Sequence, residues 1–310
     1  MLNRVINILW ARGHQGDVNH ITGDVHYLAF LLRKGKTLLT IPDCAPLERS
    51  TGCEHWLLWF FWYWLPARRC ARITVISEFT KRQLLSHLRC DPDKIEVVYC
   101  PVAGQFKPTP RPFNANRPFI LHVGTGWNKN LEHVAVALKA VSCHLGIVGP
   151  LSDQQAAILS ANGIAYSNHT VLSDEELLPL YQACDLVVFA SLYEGFGLPI
   201  VEAQATGRPV VTSNRCSMPE VAGNAACLVD PESVNSIRAG ILKVIRDAAY
   251  RDGLIRKGLE NVRRFAPDGI AEQYAQMYLH NRCDGLRSRR RDYTGQTGRI
   301  DSGFGPSQEH

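Results

Sequence analysis

The sequence predicts an α/β protein made of two parallel-sheet domains, and three observations predict it. Short runs rich in Val, Ile and Leu alternate with longer helical stretches, the pattern of buried parallel strands covered by helices. A proline-dense stretch, with Pro at 101, 108, 110, 112 and 118, separates two such alternations. The segment from Cys184 to Gly207 reads as strand, Gly-rich loop and helix.

The bulk numbers suit this reading. The 310 residues are 45% hydrophobic and 20% charged, an ordinary globular composition with enough apolar residues for a core. Net charge is +5, and the last thirty residues carry part of it, with six Arg against four acids. That leaves no basic footprint for nucleic acid. The ten Cys form no Cys-x-x-Cys or Cys/His zinc pattern and are read as buried thiols in a reducing compartment. No apolar run reaches the ~20 residues of a membrane span, and the first residues make no signal peptide. A cytoplasmic protein is the expectation.

In the first domain, expected over 1–112, strands are predicted at 18–22, 37–41, 73–77 and 95–99. Helices are predicted at 25–34, 54–69 and 78–88, the last with Ser77 as N-cap. The stretch Trp56 to Leu65 holds seven aromatics in ten residues. Two readings of it stand. It is a helix buried against the sheet, or a membrane-interface helix followed by Arg68, Arg69 and Arg72.

The second domain is expected over 113–280. Strands are predicted at 119–123, 144–148, 164–167, 186–190, 210–212 and 226–229, interleaved with helices. Ser173 to Glu176 and Ser217 to Glu220 read as capping boxes. Residues 281–310 are polar and Arg-rich, and a disordered tail is expected there.

Within Cys184–Gly207, Gly195 and Gly197 let backbone approach a ligand closely, and Pro199 suits the first turn of a helix. Amides at a helix start attract phosphate, while Glu194 and Glu202 suit hydroxyls. Phosphate and sugar on one ligand is the inference. Taken singly, Glu194 is equally a loop acid, Glu202 a macrodipole partner and Lys129 an ordinary helix-start lysine.

The pattern "CDLVVFASLYEGFGLPIVEAQATGRPVVTS…PEVAGNAACLVDP" resembles the retaining glycosyltransferases of family 4. Those have the GT-B fold, two Rossmann-like domains facing a cleft. The segments "HITGDVHYLAFLL", "LLTIPDCAPLER", "ARITVISEFTKRQLL" and "ILHVGTGWNKNLEHVAVAL" resemble its bacterial mannosyltransferase-like branch.

The resemblance implies transfer of a hexose from a nucleoside diphosphate sugar to an acceptor hydroxyl with retention. GDP-mannose is the preferred donor and a UDP-sugar the next. It implies that Glu202 holds the ribose and that Glu194 lies at the transferred sugar. The amides of Gly195, Phe196, Gly197 and Leu198 meet sugar and pyrophosphate, and Lys129 pairs with the pyrophosphate. Gly124 and Thr125 let the phosphates approach, and backbone near Val171 and Leu172 holds the base. Glu194, Lys129 and Asp43 are the implied catalytic set. Asp24 and His26 line the acceptor side, or serve as a turn Asp and a structural His. No metal or cofactor is implied, because Lys129 serves the leaving group. The acceptor is a glycan or lipid-linked sugar of polysaccharide biosynthesis, with peripheral contact at the inner membrane surface.

Three features depart from the family pattern. Pro42 stands where a His usually precedes Asp43. Thr125 and Asn128 stand at the candidate places for the Arg that often accompanies the pyrophosphate lysine. The first domain shows four strands, without the usual opening strand and Gly-rich loop, and so reads as incomplete. These departures keep a second reading open, a catalytically impaired remnant that binds nucleotide sugar or partners an active transferase. A sugar-nucleotide epimerase on the same scaffold is disfavoured by the Glu-x7-Glu spacing. In the family the last helix, here 268–280, crosses back onto the first domain.

Overall fold

The computed structural model describes residues 2–294, with side chains described through Asn281 apart from Asp174. Two parallel sheets carry the chain. The first contains β1 (Asn19–Ile21), β2 (Thr37–Ile41), β3 (Arg72–Val75) and β4 (Ile95–Val97), side by side in that order. The second contains β5 (Phe119–Val123), β6 (His144–Val148), β7 (Tyr166–His169), β8 (Leu186–Phe189), β9 (Val210–Ser213) and β10 (Cys227–Val229). Its spatial order is β10-β9-β8-β5-β6-β7, all parallel. The chain reverses direction across the sheet at β5, which lies between β6 and β8. Ligands of such sheets bind at the carboxyl ends of the strands flanking that switch.

The strand positions follow the apolar runs. Every residue of β8 and β9 is buried, as a strand covered on both faces requires. The run read at 164–167 forms its strand two residues later, at Tyr166–His169. That strand sits at the sheet edge, where an apolar pattern is weak. Ser77 and Ser173 cap their helices as read, and Ser173 with Glu176 closes a capping box.

The helix Pro267–Thr294 does cross back. Ile270 and Met277 pack with Leu38 and Val98 of the first half. His20 of β1 bridges Tyr278 and Thr40 through its two ring nitrogens, each at 2.7 Å. The helix continues past Asn281 to Thr294, so the tail expected from 281 starts as helix. Arg is a good helix former, and extending an existing helix avoids the nucleation cost. Residues 295–310 of the expected tail lie outside the described residues.

The aromatic stretch is helical throughout, with a π-helical turn over Trp59–Trp64. It divides between the two readings. Tyr63 is fully buried and Trp59, Trp62 and Trp64 pack against the first core, while Trp56 is 56% exposed and Phe61 44%. A helix over Leu2–Gly13 has no counterpart in the sequence reading, and none of its residues is buried. It turns Arg4 inward over the Trp62 and Tyr27 rings and leaves Leu2, Val5, Ile6, Leu9 and Trp10 exposed. Among the described residues no helix is long and apolar enough to cross a membrane.

Candidate donor site at the switch of the second sheet

Two loops leave the second sheet at its switch. One follows β5 and carries Gly124, Thr125, Trp127, Asn128 and Lys129. The other follows β8 and carries Ser191 to Gly197. They are tied together by Asn128, whose backbone carbonyl accepts from Leu192 N at 2.7 Å. Its side-chain amide donates to Tyr193 O at 2.9 Å and to Glu194 Oε1 at 3.1 Å. The sequence reading recorded Asn128 only as the place of an absent Arg. Its role as a tie has no signal in sequence, because it depends on a loop 65 residues away.

The tie brings the predicted cation and the first predicted acid together. Lys129 Nζ donates to Glu194 Oε1 at 2.7 Å. The same ammonium lies 4.8 Å from the centroid of the Phe189 ring at the end of β8. Gly124 is needed for this geometry. Its φ is +93°, and a Cβ there would stand 2.8 Å from Lys129 Cε. Burial pushes the Glu194 carboxyl above its ordinary range, and the nearby Asp43 charge adds to this. Lys129 opposes both.

Beneath the pair sits His122, fully buried on β5, with Nδ1 3.1 Å from Val188 O. Burial holds it down to about 4, so it is neutral near physiological pH. The sequence reading passed over it as one residue of an apolar strand.

The helix Leu198–Ala205 starts at the end of the second loop, with Pro199 in its first turn. Leu198 is exposed at that start, while Phe196 is buried. Glu202 lies one turn further on and accepts from Tyr181 OH at 2.6 Å. Tyr181 is fully buried, and burial with the Glu202 charge pushes its hydroxyl well up. Thr125 donates to Pro150 O at 2.5 Å. Val171 is exposed and Leu172 half-buried, in the loop after β7.

The first half of the molecule closes over this loop. Ser77 Oγ donates to Gly195 O at 2.7 Å. Tyr193 OH donates to Gln83 Oε1 at 2.7 Å and accepts from Cys44 N at 3.3 Å. A Cβ on Gly195 would stand 2.5 Å from Pro42 O and 2.9 Å from Asp43 Cβ. Only glycine admits this approach. Arg49 reaches across to stack on Trp127, 4.5 Å from its ring. Asp43 Oδ1 accepts from Ala45 N at 2.9 Å, which fixes the loop after β2.

One sequence reading is corrected here. Ser217 to Glu220 is not a capping box. Ser217 Oγ donates instead to Glu194 O and Phe196 O, at 2.9 and 2.8 Å. The Glu220 carboxylate accepts from Glu78 N and Phe79 N, at 2.7 and 3.1 Å. Both side chains are claimed by tertiary partners that a local pattern does not reveal. Asp24 and His26 both bond to the aromatic helix, which suits the turn Asp and the structural His of their second reading. Trp62 Nε1 donates to Asp24 Oδ1, and His26 Nδ1 lies 2.7 Å from Trp62 O. His26 is buried, with a lowered pKa caused first by that burial, and serves the core.

The fold and the crevice thus define a GT-B-type α/β protein with a cation–carboxylate pair at the switch of its second sheet. Residues 105–261 match the family described as Glycosyl transferases group 1, and residues 10–104 match Glycosyltransferase Family 4. The chain belongs to the group 1 glycosyl transferase family. It is 42% identical over 105 residues to O-antigen chain mannosyltransferase B of Escherichia coli, covering 34% of this chain and 28% of that protein. It is 26% identical over 261 residues to O-antigen chain mannosyltransferase RfbU of Salmonella typhimurium, covering 80% of this chain and 72% of that one. The chain therefore spans little more than a quarter of the first of these relatives in the matched region.

Among solved structures, Anabaena HepE in complex with UDP and glucose superposes with a TM-score of 0.74 at 17% identity. It covers 88% of this chain and 80% of its own. A glycosyltransferase from Rickettsia africae superposes at 0.70 and 19% identity, covering 90% and 80%. At such identities the likeness concerns the fold.

Proposed function

We propose that this chain moves a hexose, mannose by preference, from a nucleoside diphosphate sugar to an acceptor hydroxyl with retention. The observation that carries the proposal is the Lys129–Glu194 pair at the switch of the second sheet. Breaking a sugar–phosphate bond builds negative charge on the departing diphosphate and positive charge on the sugar. Lys129, with the amides of Gly195, Phe196, Gly197 and Leu198, suits the first. Glu194 suits the sugar hydroxyls or the developing charge. Preorganised donors of this kind are worth about 100- to 1,000-fold each in rate.

In this proposal Glu202 takes the ribose, backbone near Val171 and Leu172 takes the base, and Gly124 and Thr125 admit the phosphates. Asp43 faces the sugar from the other wall. Lys129 serves the leaving group, so the reaction proceeds without a metal or cofactor. Mannose rests on the mannosyltransferase relatives, and a UDP-sugar is next. The acceptor is a glycan or lipid-linked sugar. Peripheral contact with an anionic membrane belongs to the same proposal, supported by exposed Trp56 and Phe61 on a helix that also carries exposed Arg68.

Pro42 favours a second reading, binding without turnover, because it brings no imidazole to the crevice where the family pattern has a His. Purified protein incubated with GDP-mannose or UDP-glucose separates the two. Release or transfer of the sugar, lost in Lys129→Ala, supports the transferase. Saturable binding with no release supports the remnant, and absence of binding removes both.

A further inference from the structure

The ion pair at the crevice has one cation and more than one claim on it. Lys129 is held by Glu194 Oε1 at 2.7 Å, and Glu194 is mostly buried, its side chain 13% exposed. The groups that face this carboxylate come from four segments. Lys129 and Asn128 come from the loop after β5. Ser191 comes from its own loop, Asp43 from the loop after β2, and Cys216 from the loop after β9. Of these only Lys129 is cationic and only Asp43 is a second carboxylate. Arg215 is engaged with Asp230 and Glu232, and Arg49 stacks on Trp127.

This inference rests on the donor reading above. The diphosphate of a nucleotide sugar is a doubly charged anion. Placed at Lys129, it competes for the one ammonium that now neutralises Glu194. A carboxylate stripped of its cation in a mostly buried site is strongly disfavoured. Such a group escapes the penalty by taking a proton. We infer that donor binding exchanges this ion pair: the diphosphate takes the Lys129 ammonium, and the Glu194 carboxylate takes up a proton from solvent. No other bond is made or broken. Neutral Glu194 then meets the sugar as a hydrogen-bonding group, able to donate as well as accept. Burial already raises its carboxyl in the ligand-free protein, the same direction, while the cation opposes the shift.

The sign of the linkage follows. The bound state holds more protons than the free state, so affinity falls as pH rises through the window between the two Glu194 pKa values. The slope is at most about tenfold per pH unit for one proton. An intact nucleotide sugar is the right probe, because its diester pyrophosphate does not titrate near neutrality and a free nucleoside diphosphate does.

The test is calorimetric titration of the full chain with GDP-mannose and with UDP-glucose near neutral pH, in buffers of different ionisation enthalpy. Net proton uptake is expected for wild type, and none for Glu194→Gln. A second arm follows the Glu194 carboxyl by carbon NMR without ligand, its signal assigned by its loss in Glu194→Gln. Lys129→Met should move its titration to higher pH. Binding without proton uptake, uptake that persists in Glu194→Gln, or an unmoved titration in Lys129→Met overturns the exchange and leaves the donor reading standing. Absence of binding by both nucleotide sugars overturns the donor reading and the exchange with it.

Discussion

The two sheets follow one grammar and differ in how much of it they complete. The second sheet has six strands, a switch at β5 and two loops that meet there. The first has, among the described residues, four strands in simple sequence order, and it meets the crevice through the loop after β2, Arg49, and the helix Glu78–His87 with its cap Ser77. The second sheet carries the Lys129–Glu194 pair at its switch. The first half meets that loop with backbone, Pro42 O beside Gly195 and the amides of Glu78 and Phe79 on Glu220, and with the side chains of Ser77, Gln83 and Arg49. The ion pair thus sits on one wall, and the other wall holds the loop that carries it. Five perturbations break or sharpen that contrast.

The largest effect belongs to the charged wall. Lys129→Ala and Glu194→Ala should each lower sugar transfer by about 100- to 1,000-fold, with a cooperative thermal melt that shows both variants folded. Turnover assays with a circular-dichroism melt check this. Equal activity in both variants would place the chemistry elsewhere.

Gly195→Ala probes the contact between the walls. The new methyl meets a carbonyl 2.5 Å away, and overpacking of this kind costs about 1–3 kcal/mol. Denaturant unfolding should show that loss, together with weaker donor binding. Full stability in this variant would mean that the walls are not in contact in solution. Glu220→Gln probes the same closure more gently. It removes the charge from two bonds at a helix start, worth about 1 kcal/mol, and should lower the melting temperature without abolishing binding.

A pH scan separates core from crevice. His122 is held down to about 4 by burial, against 6.5 for the free side chain. The unfolded chain therefore binds the extra proton first, and stability is lost as pH falls from about 6.5 towards 4. Half-buried His20 and buried His26 are also lowered and add to that limb. His122→Asn should flatten it in acid-unfolding curves. A limb of unchanged steepness would show that His122 is not buried neutral. The smallest effect concerns the aromatic helix. Trp56→Ser with Phe61→Ser should reduce cosedimentation with anionic liposomes modestly, leaving donor turnover intact.

The same contrast governs what the sequence makes legible. The second half can be read almost strand by strand, because most of its strands are short apolar runs with buried centres, such as Leu186 to Phe189, the polar edge strand β7 being the exception. Lys129 and Glu194 were legible as candidates because their motifs are local. The ties between loops were not. Asn128, Ser217 and Glu220 act on partners far along the chain, and Ser217 with Glu220 even imitates a capping box. For Asp24 and His26 the sequence leaves two readings open, and the bonds of both to Trp62 are contacts that a short polar motif does not reveal. The helix Leu2–Gly13 escaped notice because a reading for strands and signal peptides has no place for an apolar face turned outwards.

The central claim is that Lys129 and Glu194 mark the donor site. Trp127 is half-exposed two residues from Lys129, so its fluorescence reports on that crevice. Titrating GDP-mannose and UDP-glucose into wild type and Lys129→Ala, with Trp127→Phe to assign the signal, tests the claim most directly. The account predicts saturable binding by wild type that weakens at least about tenfold in Lys129→Ala, the loss of a hydrogen bond to a charged group. Equal affinity in the two proteins would contradict it.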